Sequence, residues 1–142
     1  MKIAIGADHG GFGLKQILAA KLHDWGHEVV DCGCNSTESV DYPDFANQVC
    51  DLVLSGGVRF GILVCGTGIG MSMVANRRKG IRAALCNDEY SARMSREHND
   101  ANILCLGDRV LGSGVAESIV DAWLKSEFVG GRHLKRIKMF SE

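Results

Sequence analysis

The sequence predicts a single-domain α/β protein, a Rossmann-like three-layer α/β/α sandwich around a five-stranded parallel sheet. Three observations predict it. Short apolar runs alternate with helix-period segments along the 142 residues. The apolar runs are continuous instead of alternating, which is the pattern of strands buried on both faces. The segments between them are long enough for the helical crossovers that parallel strands require.

Each element has its own signal. Residues 2–6 are an apolar first strand. In residues 12–25, Leu14, Ile17, Leu18, Leu22 and Trp25 recur at helical spacing, and Gly26 follows as a C-terminal cap. Residues 28–32 are the second strand, and 33–42 a polar loop. Pro43 suits the first turn of a helix that runs to about Leu54 and stops at Gly56-Gly57. Residues 60–65 are the third strand; a glycine turn and a helix to about Lys79 follow. Residues 81–86 are the fourth strand, and Asn87 or Asp88 caps a helix to about His98. Residues 102–107 are the fifth strand, and a helix over 113–126 carries Val115, Ile119, Trp123 and Leu124 on one stripe. A basic tail, about 128–142, completes one domain spanning 1–142.

Composition excludes several classes. Apolar residues make up 46% and charged residues 23%, which is globular and not disordered. The formal net charge of −1 argues against nucleic acid as a partner. No apolar run approaches the roughly 20 residues of a membrane span. Asp8 interrupts the N-terminal run before a signal-peptide core forms. Six cysteines without a CxxC pair suit a reducing, cytoplasmic setting. Cys32-Gly33-Cys34 has no second pair to complete a zinc site, and Asp8, His9 and His98 lack metal-ligand spacing, so no metal is expected.

In this fold class, ligands bind beyond the carboxyl ends of the strands, at the switch point. The sharpest feature there is Cys65-Gly66-Thr67-Gly68-Ile69-Gly70. Alternate glycines let the chain turn tightly into a helix and leave its amides open to an anion. The run is neither GxGxxG nor GxxxxGK[ST], so it fits no nucleotide fingerprint. A thiol at that helix start favours its thiolate form and serves as nucleophile or base. Asp8-His9 and His98-Asn99-Asp100 are expected near the same sheet edge, offering proton transfer and hydroxyl contacts. Arg132 and Arg136 are four apart and share a helical face, a clamp for a phosphate dianion, with Arg109 as a third contact. His23, His27 and Arg77-Arg78-Lys79 read as solvated surface. The pieces fit a small phosphorylated polyhydroxy compound. A base beside amides that hold an oxyanion suits proton abstraction next to a carbonyl, and acyl transfer on Cys65 equally well.

The sequence also resembles the type B ribose-5-phosphate isomerase family, which includes galactose-6-phosphate isomerase subunits. The likeness runs through Ala7-Asp8-His9-Gly10, Ser39-Val40-Asp41-Tyr42-Pro43, Cys65 to Gly70, Ala75-Asn76-Arg77, Gly80-Ile81-Arg82-Ala83, His98 to Asn102 and Gly130-Gly131-Arg132-His133. Together, in order, these motifs are specific. The resemblance implies a cofactor-free aldose–ketose isomerase working through an enediolate. It makes Cys65 the base, residues Gly66, Thr67, Gly68, Ile69 and Gly70 the cradle for the enediolate oxygens, and His98 the group that opens the furanose ring, with Thr67 assisting. Asp8, His9 and Asn99 hold hydroxyls; Arg109, Arg132 and Arg136 take the phosphate. A second subtype carries a glutamate base in the turn; Ile69 at that position places this chain in the cysteine subtype. Members are homodimers, or tetramers, with sites built from both subunits. Hexose-phosphate isomerisation, phosphosugar binding without turnover, and Cys-dependent acyl transfer are the competing readings.

Overall fold

The computed structural model describes residues 1–141. Its elements are β1 (Lys2–Ala7), α1 (Phe12–Asp24), β2 (Glu28–Asp31), α2 (Tyr42–Leu54), β3 (Phe60–Cys65), α3 (Ile69–Ala75), β4 (Ala83–Leu85), α4 (Glu89–Glu97), β5 (Ile103–Gly107), α5 (Ser113–Lys125) and α6 (Arg132–Lys138). The five strands form one sheet in the order β2-β1-β3-β5-β4, and every pairing is parallel. The three central strands are the most apolar, and all six residues of β3 are buried. One core joins Ile3, Ile5, Ile62 and Leu104 to Leu14 and Leu18 of α1 and Ile119 and Trp123 of α5. The other joins Ala4, Leu63 and Ile103 to Val49 of α2 and Met71 of α3. Helices therefore cover both faces, and the three-layer expectation holds. No helix among the described residues is long and apolar enough to cross a membrane.

Several boundaries differ from the sequence reading, each for a local reason. The helix expected to reach Lys79 stops at Ala75. There the Asn76 side chain brackets the Ala83 backbone, accepting its N–H at 2.8 Å and donating to its carbonyl at 2.9 Å. That clasp diverts residues 76–80 into the start of β4. The β4 strand keeps only Ala83–Leu85 because it is an edge strand paired to β5 alone. The helical stripes are rotated from those expected. Ile17 is 44% and Val115 52% exposed. The buried positions are Leu14, Lys15, Leu18 and Leu22 on α1, and Ala116, Ile119, Val120 and Trp123 on α5. Gly26 ends α1 as expected: its N–H bonds the His23 carbonyl while that of His27 bonds Leu22, a Schellman turn. Asp88, not Asn87, caps α4, accepting the Ser91 N–H at 2.7 Å.

Candidate active site

The strand order reverses between β1 and β3, so the crevice above their carboxyl ends is the switch point. Three loops converge there. Ala7 pairs with Val64, and Cys65 pairs with Gly107. Asp8, the Cys65–Gly70 turn and Asp108-Arg109 therefore leave the sheet side by side.

Cys65 ends β3 with its side chain turned into the following loop and is 6% exposed. Its Sγ accepts the backbone N–H of Gly68 at 3.1 Å. Gly68 reaches this position with φ of 78°, in the left-handed region. A Cβ there would lie 2.6 Å from a Leu85 methyl and 3.0 Å from the Leu106 carbonyl carbon. Thr67 is exposed, and its Oγ1 accepts the Ile69 N–H at 3.2 Å. Gly107 permits the turn to pack on β5: a Cβ on it would sit 2.7 Å from Thr67 Cα.

Asp8 is buried, and its Oδ1 accepts the N–H groups of Gly10 at 2.9 Å and Gly11 at 3.1 Å. A carboxylate bonded to two amides is held in one orientation. His9 accepts the Val40 N–H on Nδ1 at 3.2 Å. A neutral His9 with that bond carries its own proton on Nε2, ready to donate. Arg109 lies against Gly66, where a Cβ would meet its guanidinium at 3.5 Å. Asp108 fastens this loop to α1, accepting the Leu14 N–H at 3.1 Å. Tyr42, not among the expected site residues, has its ring over Gly70, 2.9 Å from where a Cβ would stand. Its neighbour Pro43 marks a helix start in the sequence; only the tertiary approach to Gly70 reveals the tyrosine.

The remaining expected residues lie elsewhere. His98 caps the C-terminus of α4, and Asn99 follows it. Because β4 and β5 are parallel, α4 runs against them and ends where β5 begins. Cys65 pairs with Gly107 at the far end of β5. Four residue steps of strand, about 13 Å, separate the two ends. The expectation that Asp8-His9 and His98-Asn99 share one sheet edge within the chain is therefore corrected.

This second end has its own construction. Arg82 donates to the carbonyls of Asn99 and Asp100 and to the Asp100 carboxylate. Arg96, buried under the Phe60 and Trp123 rings, holds the other Asp100 oxygen at 2.9 Å. Asp100 is thereby kept at a φ of 45°. The Val129 N–H bonds the Glu97 carbonyl, which brings α6 beside His98. The rings of His98 and His133 stack with centroids 4.1 Å apart and planes 7° apart. His133 titrates below the ordinary histidine value, through lost hydration and then the positive charges of His98, Arg132 and Arg136. Arg132 and Arg136 thus belong with His98, away from Arg109. Nearby, a groove of about 650 Å³ beside β4 takes in Asn99, Arg77, Lys79 and Phe140, and Cys65 does not line it.

Comparison with known proteins agrees with this architecture. Residues 3–140 match the Ribose/Galactose Isomerase family. Ribose-5-phosphate isomerase B of Escherichia coli K12 is 51% identical over 137 residues, covering 96% of this chain and 92% of that protein. A D-erythrulose-4-phosphate isomerase of Pectobacterium atrosepticum is 42% identical, covering 97% and 91%. The structure of ribose-5-phosphate isomerase B from Clostridium thermocellum superposes with a TM-score of 0.98 at 56% identity, covering 99% of this chain and 95% of that one. The chain belongs to the ribose/galactose isomerase family.

Proposed function

We propose that this isomerase interconverts ribose 5-phosphate and ribulose 5-phosphate through an enediolate. The observation that carries the chemistry is the Cys65 sulfur beside the amides of the glycine turn, 3.1 Å from the Gly68 nitrogen. The Cys65 thiolate takes the proton from C2 of the open-chain aldose, and the electron pair moves through C1 onto the carbonyl oxygen. The amides of Gly66 to Gly70 hold the oxygen that gains charge, those of Gly68 and Ile69 exchanging their Cys65 and Thr67 acceptors for it. Return of the proton to C1, with the hydroxyl proton passing from O2 to O1, gives the ketose. Neither half-reaction requires a cofactor. Asp8 and His9 hold hydroxyls, with Thr67 near the ring oxygen. Ribose 5-phosphate is favoured as substrate by the 51% and 56% identities to proteins bearing that name.

The separation of the two groups supports a shared site. A second copy brings its His98, Asn99, Arg132 and Arg136 to the Cys65 crevice of the first. There His98 donates a proton to the furanose ring oxygen, and the two arginines join Arg109 on the phosphate. An isologous dimer places two such sites symmetrically. All six cysteines are free, which suits a cytoplasmic enzyme.

The test is ribulose 5-phosphate formation from ribose 5-phosphate without added metal or nucleotide, for the unmodified protein and Cys65→Ala. The expected result is turnover that falls by about 10²–10⁴ in the variant, while substrate binding persists. Full turnover in Cys65→Ala would move the base elsewhere. Turnover of allose or galactose 6-phosphate alone would replace the pentose, and binding without turnover of any sugar phosphate would discard the isomerase reading.

A further inference from the structure

His133 neighbours Arg132 and Arg136, and its placement is specific. The Val129–Glu97 bond and two successive positive-φ residues, Gly130 at 69° and Gly131 at 59°, turn the chain so that α6 begins against the end of α4. That turn lays the His133 ring flat on the His98 ring, 4.1 Å away and 7° from parallel. Both residues are partly buried. The His98 backbone N–H is committed to Met94 in α4. Neither imidazole has a hydrogen-bond partner among the described residues. An imidazole used for proton transfer is normally oriented by a bond to one of its nitrogens. Here the stack is the contact that sets the ring plane, and it leaves both nitrogens of His98 free for substrate.

We propose that His133 is the positioning residue for His98, holding its imidazole by ring stacking in the plane from which it meets the sugar. This rests on the reading of His98 as the ring-opening group. The charge pattern is consistent with it. The groups facing His133 are His98 from α4 and Arg132 and Arg136 on its own helix, all of which carry or accept positive charge. A neutral ring stacks against His98 without adding a further cation to the clamp. The role therefore asks for a flat ring and not for a charge.

That distinction supplies the experiment. His133→Ala removes the ring; His133→Phe keeps a flat ring without a titratable nitrogen. Both are made in the full-length protein and compared by ribose 5-phosphate turnover and by the ¹H–¹³C NMR signals of His98. His133→Ala is expected to lower kcat by about tenfold to a hundredfold with KM nearly unchanged, the scale of a displaced catalytic group. The His98 ring proton should lose the upfield shift caused by its stacked neighbour. His133→Phe should restore that shift and most of kcat. An unmoved His98 signal in His133→Ala would overturn the proposal, as would a His133→Phe variant with the shift restored but kcat still low. His98→Asn separates this from the underlying reading. If that variant keeps full turnover while His133→Ala still moves the His98 signal, the stack is real and the ring-opening role fails.

Discussion

The sulfur of Cys65 and the amide of Gly68 form one unit, joined by a 3.1 Å hydrogen bond with residue 68 at a φ of 78°. Substituting Gly68→Ala tests the unit without touching the thiol. An alanine pays for left-handed backbone and also meets Leu85 at 2.6 Å. The expected cost is about 2 kcal/mol or more of stability, read from denaturant unfolding. Turnover should fall further than stability, because the loop shifts the amides away from the sulfur. Turnover equal to wild type would mean that the turn is structural only.

A second prediction concerns the ion pair beneath the site. Lys15 is fully buried, and its Nζ reaches both oxygens of Asp31 at 2.8 and 2.7 Å. Asp31 also accepts the Gly33 N–H at 2.8 Å, at the start of the loop that carries Val40 and Tyr42 to the crevice. Removing one member of a buried pair leaves the other uncompensated; here Asp31 is 39% exposed, which softens the penalty. Lys15→Ala should cost about 2–4 kcal/mol, since it also opens a cavity. Lys15→Met, which fills the space and lets Asp31 turn to solvent, should cost less. An equal loss in both variants would assign the whole effect to charge.

These two cases also mark what the sequence reveals. The Phe60–Cys65 strand and its glycine turn are local features: a continuous apolar run followed by alternate glycines leaves few alternatives. Lys15 is different. Periodicity favours Ile17 for the α1 interior, yet the helix turns its lysine inward because Asp31, sixteen residues away, supplies the counter-charge. His98 is an intermediate case. Residue types and motif make it a candidate, but its distance from Cys65 follows only from the parallel pairing of β4 with β5. The His133 stack was invisible, because Gly130 and Gly131 reveal a turn but not what it lands on.

A third prediction follows from the buried thiols. Burial pushes Cys50 and Cys86 up to about 11 from the ordinary thiol value of 9.0. Below pH 9 both are protonated in folded and unfolded chains alike, and they leave stability unchanged. Between 9 and 11 the unfolded chain releases these protons while the folded chain retains them. Stability should therefore fall with rising pH across that window. Chemical unfolding at pH 8 to 11 checks this, and a Cys50→Ala, Cys86→Ala double variant should show a shallower decline. An identical decline in the double variant would place the alkaline sensitivity on other groups.

The fourth prediction uses the distance between the two halves of the site. Within one chain, Cys65 and His98 lie at opposite ends of β5, so the proposed site takes Cys65 from one copy and His98 from another. Cys65→Ala and His98→Asn should each be nearly inactive as pure proteins. Unfolded together and refolded as an equal mixture, half of the resulting dimers are mixed. Each mixed dimer carries one site with both substitutions and one site with neither. The mixture should therefore recover about a quarter of wild-type turnover. Two sites each confined to one chain would recover nothing, because every chain in the mixture carries a defect. Recovery that appears only after subunit exchange, and not on mixing the folded proteins, would tie the activity to the shared interface.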